Sequence, residues 1–340
     1  MSNETTARLH GDGIVDMHFD LPVGLLLSES PCGAIARDFL PGLKTGGGGV
    51  LAVAIFIQDK DVPRAYEIAL EEIALLNDEL ARTPELVLCR DFAEIENARA
   101  NHRIALLLTM EGVEPLGADL ARLPEFYGLG LRSLMLTHAR ANAAAAGGIF
   151  AATGSPAHGL TDFGRKIVRA CERLGILLDL AHINPAGFEE ICALTASPLI
   201  VSHTNARRFH DIERNISDAQ IKMIGARGGV IGINAVLVSP RQEDATIDRY
   251  IDHIAHVADL IGINHVALGF DFFEFIYQQM CAADRAAMEA HPTRARFIPD
   301  LSQHAHAQNL TCRLFERGFA ESDVEKILRG NWLRVLKEIL

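Results

Sequence analysis

No stretch of this chain is apolar for long enough to cross a bilayer, and residues 1–10 are polar, without the apolar core of a secretion signal. A cytoplasmic protein with no membrane partner is therefore the expectation. Basic residues are also scarce: 32 Lys and Arg stand against 44 Asp and Glu, a net charge of −12. That balance argues against nucleic acid or an anionic membrane as the main partner and is read as an acidic surface. The six cysteines (Cys32, Cys89, Cys171, Cys192, Cys281 and Cys312) lack the short paired spacing of a zinc knuckle or a disulfide scaffold. They are expected to be reduced and mostly packed. Apart from a short alanine run at 143–146, no low-complexity linker or internal repeat interrupts the chain.

What the chain does have is six short apolar runs that each end on a residue able to bind a metal or move a proton. Runs 14–20, 104–111, 133–138, 175–182, 199–203 and 265–271 close on Asp20, Glu111, His138, His182, His203 and Asp271, with His18 inside the first. Buried parallel strands read as such apolar runs, and in a closed barrel the reactive residues gather at the strand ends of one face. Two further runs at 49–57 and 229–233 bring the count to the eight a barrel needs. Helical patterns alternate with them at 62–82, 91–101, 162–174, 185–195, 218–227 and 247–261.

The expected fold is thus a single-domain α/β protein, a (β/α)8 TIM barrel over 12–340 with an N-terminal arm at 1–11. A doubly wound open sheet allows the same alternation, but it would concentrate its site at one switch point rather than spread it over six strand ends. Ser217-x-x-Gln220 and Ser322-x-x-Glu325 read as capping boxes, and Gly175, Gly228-Gly229 and Gly262 as helix terminators. Segments 140–159 and 272–301, the latter with Tyr277, Met280, His291 and Arg294, are expected to lie over the mouth and select substrate.

His18 and Asp20 lie two apart on a strand, so they share a face and can bind one cation together. Glu111, His182 and His203 add the oxygen and nitrogen donors that zinc prefers. Three histidines and two carboxylates exceed the needs of one catalytic zinc, which keeps an open position. Two metals fit better, with Glu111 bridging, His18 and Asp20 completing one site, and His182 and His203 the other. Such a pair activates a bridging hydroxide and polarises a carbonyl, so the implied reaction is hydrolysis. Each residue also has an ordinary structural reading: Asp20 as a turn cap before Leu21-Pro22, Glu111 as a loop carboxylate, His182 as a cap before Asn184-Pro185. Their joint placement at successive strand ends favours the site. His253 and His256 are read as surface or packing residues, and His10, His102, His158, His210, His291 and His304-x-His306 as residues of loops or polar segments.

With these residues in view, the chain resembles the membrane (renal-type) dipeptidase family of zinc peptidases in the amidohydrolase superfamily. The likeness runs from about residue 12 to the C-terminus. Asp16-Met17-His18-Phe19-Asp20-Leu21-Pro22, Met110-Glu111-Gly112, Leu136-Thr137-His138 and Gly159-Leu160-Thr161-Asp162-Phe163-Gly164 carry it. It continues in Asp179-Leu180-Ala181-His182, Ser202-His203-Thr204-Asn205-Ala206-Arg207, Arg214-Asn215, Gly228-Gly229-Val230-Ile231-Gly232, Gly269-Phe270-Asp271-Phe272 and Gly330-Asn331-Trp332-Leu333-Arg334-Val335.

The resemblance implies a barrel holding two Zn2+, with His18, Asp20 and Glu111 on one ion and Glu111, His182 and His203 on the other. It implies that His138 binds substrate and stabilises the tetrahedral intermediate, that Arg214 takes the substrate carboxylate, and that Asp271 transfers a proton. A dipeptide substrate, with a D-residue allowed at its C-terminal side, and a homodimer follow from the same likeness. Manganese, cobalt or iron would accept the same ligands. Hydrolysis of another small amide, such as an N-acyl amino acid or a β-lactam, is the alternative chemistry; a non-catalytic metal-binding protein is the alternative class.

Three departures from the family pattern stand out. Ala139-Arg140-Ala141-Asn142-Ala143 replaces an Asn-rich stretch leading to Pro-Trp-Ala-Asp, Phe272-Phe273-Glu274 follows Asp271, and Phe19 replaces a common Asn. They leave the ligand set intact and change the pocket lining. Arg140 is expected to add positive charge at the mouth and favour an acidic side chain.

Overall fold

The computed structural model describes residues 2–147, 158–290 and 294–340. Nine parallel strands run in chain order as β1 (Ile14–Phe19), β2 (Gly48–Phe56), β3 (Leu86–Leu88), β4 (Ile104–Glu111), β5 (Leu131–Met135), β6 (Leu177–Asp179), β7 (Ile200–Thr204), β8 (Val230–Ile233) and β9 (Val266–Leu268). Pairing of β1 with both β2 and β9, and of β2 with β4, closes eight of them into a barrel. All eight sequence runs are found in it. The ninth strand, β3, lies outside the ring and pairs only with the start of β4, Leu86 opposite Ile104 and Leu88 opposite Leu106.

The strands are apolar throughout because a parallel barrel is covered on both faces, by its own interior and by the helices around it. β1, β4 and β7 are buried at every residue. Close approach across the interior requires glycine at two places. A Cβ at Gly232 in β8 or at Gly269 just after β9 would collide with the backbone carbonyl of Ser202 in β7. Residues near the amino ends of the strands, among them Val50, Leu177, Ile200 and Val230, cluster with Trp332, Val335 and Leu336 of the C-terminal helix Asn331–Ile339. That helix stops the end of the barrel opposite the site.

The expected helices form, with Asp162–Leu174 and Ile247–Ile261 at the expected bounds. The pattern at 62–82 begins instead with a 3-10 turn, Asp59–Arg64, because Pro63 lacks the N–H a regular helix would use there; the α-helix is Ala65–Leu80. Ser217 and Gln220 form the expected capping box. The expected box at Ser322 does not form: the helix Glu321–Glu325 starts from Ala320, which puts Ser322 inside the first turn. Gly175 ends its helix in the left-handed conformation, whereas Gly262 combines φ 91° with an extended ψ of 153°.

Residues 2–11 form a helix, Ser2–Gly11, tied to the body by His10, whose Nδ1 lies 2.6 Å from the Gly46 carbonyl and Nε2 2.8 Å from the Thr311 hydroxyl. Cys89, Cys171 and Cys192 are packed in the core, while Cys32 and Cys281 are exposed. Segment 272–301 carries two short helices, Glu274–Gln279 and Ala282–Ala290. Its His291, and residues 148–157 of the other expected mouth segment, lie outside the described residues. Among the described residues no helix is long and apolar enough to cross a membrane.

Candidate metal centre

All eight residues singled out from the sequence meet at the carboxyl end of the barrel. His18 and Glu111 are on β1 and β4, His203 is on β7, and Asp20 directly follows β1. His138, His182 and Asp271 lie shortly beyond β5, β6 and β9, and Arg214 is in the segment after β7. His18, Asp20, Glu111, His203 and Arg214 are buried. His182 and Asp271 adopt φ of 65° and 58°, a left-handed conformation that is costly for residues with a Cβ.

Glu111 is the centre of the cluster. Its Oε1 lies 2.9 Å from His182 Nε2 and 3.4 Å from His203 Nε2, while its Oε2 lies 3.8 Å from His18 Nε2. His18 Nε2 in turn is 3.5 Å from Asp20 Oδ1 and 3.9 Å from Asp271 Oδ1. The Nε2 atoms of His182 and His203 face each other at 2.9 Å, and only one of them can carry a hydrogen toward the other. Both ring nitrogens of His18 and Oδ1 of Asp20 are buried without a hydrogen-bond partner among the described residues. Three imidazoles and two carboxylates converging on one another suit a cation, and this set suits zinc or another divalent transition metal.

A supporting layer of residues had no role assigned from the sequence. Asp16 Oδ1 accepts from the backbone N–H of His18 (3.3 Å) and of Phe270 (3.0 Å), and its Oδ2 accepts from His304 Nε2 at 2.8 Å. Asp179 Oδ1 accepts from the N–H groups of Ala181 (3.0 Å) and Ser202 (2.9 Å), tying the end of β6 to β7. Ser202 Oγ lies 2.7 Å from His203 Nδ1, and Asn234 Nδ2 donates to Asp271 Oδ2 at 2.6 Å. Arg214 Nη2 donates to the His203 carbonyl at 2.7 Å, while its Nη1 is buried with no partner among the described residues. The available signal was an acidic residue shortly before a histidine, Asp16 before His18 and Asp179 before His182. It does not reveal which backbone amides those carboxylates hold.

The electrostatics are those of a site starved of positive charge. Burial disfavours a charge on His18, but Glu111, Asp20 and Asp271 outweigh it and raise the imidazole to about 10. Burial pushes Glu111 up to about 8 and Asp271 up to about 7. His138, His182 and His203 are held well below the usual histidine range, first by burial and then by nearby cations including Arg214. Neutral imidazole is the form that binds metal, and a bound dication reverses the pressure on the carboxylates by favouring their ionised form.

Residues 7–281 match the family model described as membrane dipeptidase, peptidase family M19. The chain belongs to that family. An uncharacterised dipeptidase of Schizosaccharomyces pombe is 28% identical over 352 residues, covering 96% of this chain and 80% of the yeast protein. The crystal structure of dipeptidase AC, a family M19 metallopeptidase, has a TM-score of 0.83 and 28% identity, covering 96% of this chain and 98% of that one. A Rhodobacter sphaeroides metallopeptidase bound to a phosphinate mimic of the dipeptide L-Ala-D-Ala has a TM-score of 0.83 and 27% identity, covering 96% and 99%. The protein is a metal-dependent hydrolase of small peptides, a metallo-dipeptidase.

Above the donor cluster the dipeptidase has a cavity of about 530 Å3 with Asp20, Glu111, His138, His182, Arg214 and Asp271 among its lining residues. Arg140 is not among them. Its guanidinium is paired with Glu114 Oε1 at 2.9 Å and with Asp59, and donates to the Ile57 carbonyl at 2.5 Å. Arg140 is thus near enough to lower the pKa of His138, but two carboxylates already claim its charge, which weakens its pull on an acidic substrate side chain.

Proposed function

We propose that this dipeptidase is binuclear and uses zinc, with His18, Asp20 and Glu111 as ligands of one ion and Glu111, His182 and His203 as ligands of the other. The observation that carries the reading is the division of Glu111: one carboxylate oxygen faces His18, while the other faces His182 and His203. Two bound cations would lower the pKa of a coordinated water and polarise the scissile carbonyl.

The remaining roles belong to the protein. Arg214 has one arm fixed on the His203 carbonyl and the other unpaired, which suits it to receive the substrate's terminal carboxylate. His138, neutral and on the cavity surface, donates to the carbonyl oxygen as it gains charge. Asp271, held through Oδ2 by Asn234, takes the proton of the attacking water and delivers it to the leaving nitrogen. The substrate is a dipeptide with a free C-terminal carboxylate, and a D-residue there is accepted. The R. sphaeroides relative, solved with an L-Ala-D-Ala mimic, supports that stereochemistry.

The test is hydrolysis by zinc-reconstituted protein of dipeptides varied in stereochemistry at the second residue, alongside N-acylated counterparts, with bound metal measured by elemental analysis. The expected result is two zinc ions per chain, release of free amino acids from unblocked dipeptides, and loss of activity on chelation. One bound metal, or cleavage confined to the acylated compounds, would refute the proposal.

A further inference from the structure

The cavity over the donor cluster is divided in character, and the division bears on which dipeptides are cleaved. Its floor is polar and consists of the groups already assigned to the reaction. Its wall is not. Val23 and Leu27 come from the helix Leu21–Leu27, Phe56 from the end of β2, and Val236 and Leu237 from the segment after β8. The segment after β9 adds Phe273, Ile276, Met280 and Met288. Among the described lining residues, Asp20, Glu111 and Asp271 are the only carboxylates, and all three belong to the floor. The one charged side chain of the wall, Lys60, is on an exposed residue, and Arg140 is consumed by Glu114 and Asp59.

A basic side chain carried into this cavity would leave water and find no carboxylate in the wall, and an acidic one would find only the exposed, solvated Lys60. An apolar one would exchange water for carbon and sulfur. Binding pockets of this volume combine an apolar wall with a few placed polar groups; here those of the floor are committed to the peptide bond and carboxylate, and the wall adds the neutral amides of Gln58 and Gln279 and the exposed Lys60 to a surface that is otherwise mostly carbon and sulfur.

We infer that the side chain this dipeptidase selects is large and apolar, and that Leu27, Ile276 and Met280 set that selection. The inference rests on the dipeptidase reading above and names the substrate class within it. The two methionines add a further property. Unbranched thioethers adapt to different shapes, so leucine, methionine and phenylalanine side chains are accepted alike, whereas charge is refused. Ile276 is buried on the helix Glu274–Gln279, and Met280 directly follows it, so one segment governs the choice.

The experiment measures kcat/KM of the metal-loaded enzyme on two dipeptide series, X-Gly and Gly-X, with X as Gly, Ala, Leu, Met, Phe, Asp and Lys. In at least one series Leu, Met and Phe are expected to exceed Gly by about tenfold or more, with Asp and Lys at or below Gly. Met280→Ala and Leu27→Ala should each lower the Leu-to-Gly ratio several-fold, and Met280→Glu should raise the Lys-to-Leu ratio. Met280 and Leu27 are only half-buried, so these variants do not cut into the closed core. A panel that is flat, or headed by a charged side chain, overturns the inference and leaves dipeptide hydrolysis standing. Ratios unmoved in all three variants remove Leu27 and Met280 from the selection and overturn the assignment. Failure to cleave any member refutes the dipeptidase reading and this inference with it.

Discussion

Asp16 does not line the cavity, yet its carboxylate holds the backbone at His18, a proposed metal ligand, and next to Asp271, the proposed proton carrier. One oxygen fixes the amide of His18 and that of Phe270, next to Asp271; the other takes the hydrogen of His304. Asp16→Asn keeps the shape and one oxygen. With that oxygen serving the two backbone amides, the new amide nitrogen faces His304 donor to donor. One buried hydrogen bond lost in this way costs about 1–3 kcal/mol. Activity should fall further than that stability loss implies, because carboxylates behind metal ligands typically account for about 10–100-fold in metal affinity or activity. His304→Phe tests the same link from the other side, since His304 packs edge-on against Phe19 and Phe272 at 4.7 and 5.1 Å and its apolar contacts would survive. If the bond is what matters, the double variant is little worse than either single one. The assay is kcat/KM with bound metal measured on the same samples and urea midpoints for stability. Both single variants retaining full metal and kcat/KM within about twofold of the parent would refute the reasoning.

Three further outcomes follow from residues outside the cavity lining. His253 accepts from the Ala206 amide through Nδ1 and donates from Nε2 to the Val238 carbonyl, and burial lowers its pKa from 6.5 to about 4. The unfolded chain therefore takes the proton first as pH falls. The stability gained from a neutral His253 is present above about pH 6.5 and is lost on the way down to about 4, amounting to about 3 kcal/mol. Urea midpoints of the parent and His253→Gln should converge over that range; parallel curves would contradict the pairing. Arg140→Ala should cost about 2–3 kcal/mol by stranding buried Glu114, while leaving the ratio of acidic to neutral dipeptide cleavage unchanged, as read by thermal unfolding and the dipeptide panel. Gly232→Ala should fold poorly or lose its metal, because the added methyl meets the Ser202 carbonyl beside His203; a stable, fully loaded variant would show that β7 can move aside.

The barrel was legible because its strands lie in short apolar runs, most of them punctuated by a histidine or carboxylate at the end. The three residues of β3, outside the ring, were missed; β6 and β9 are as short, but each lies in a longer run that closes on His182 or Asp271. Pairing across great sequence distance was also out of reach. His304 looked like a loop histidine, yet it is buried and bonded to Asp16, 288 positions away. His10, in the helix Ser2–Gly11, and His210, in the loop after β7 as expected, are likewise buried. Arg140 was half legible for a related reason: its charge was visible, but Glu114 and Asp59, brought to it by separate segments, were not. Ser322 carried a capping pattern, but only the backbone could say that the helix begins one residue before it.

The left-handed backbone at His182 and Asp271 sets the needs of the scaffold against those of the chemistry. Glycine would relieve either position, by about 1–2 kcal/mol. A laboratory selection that rewarded heat resistance alone would therefore tend to erase a proposed zinc ligand and the proposed proton carrier. Thermostable descendants of this enzyme have to be chosen on turnover at every round, or the fittest folds will be the inert ones.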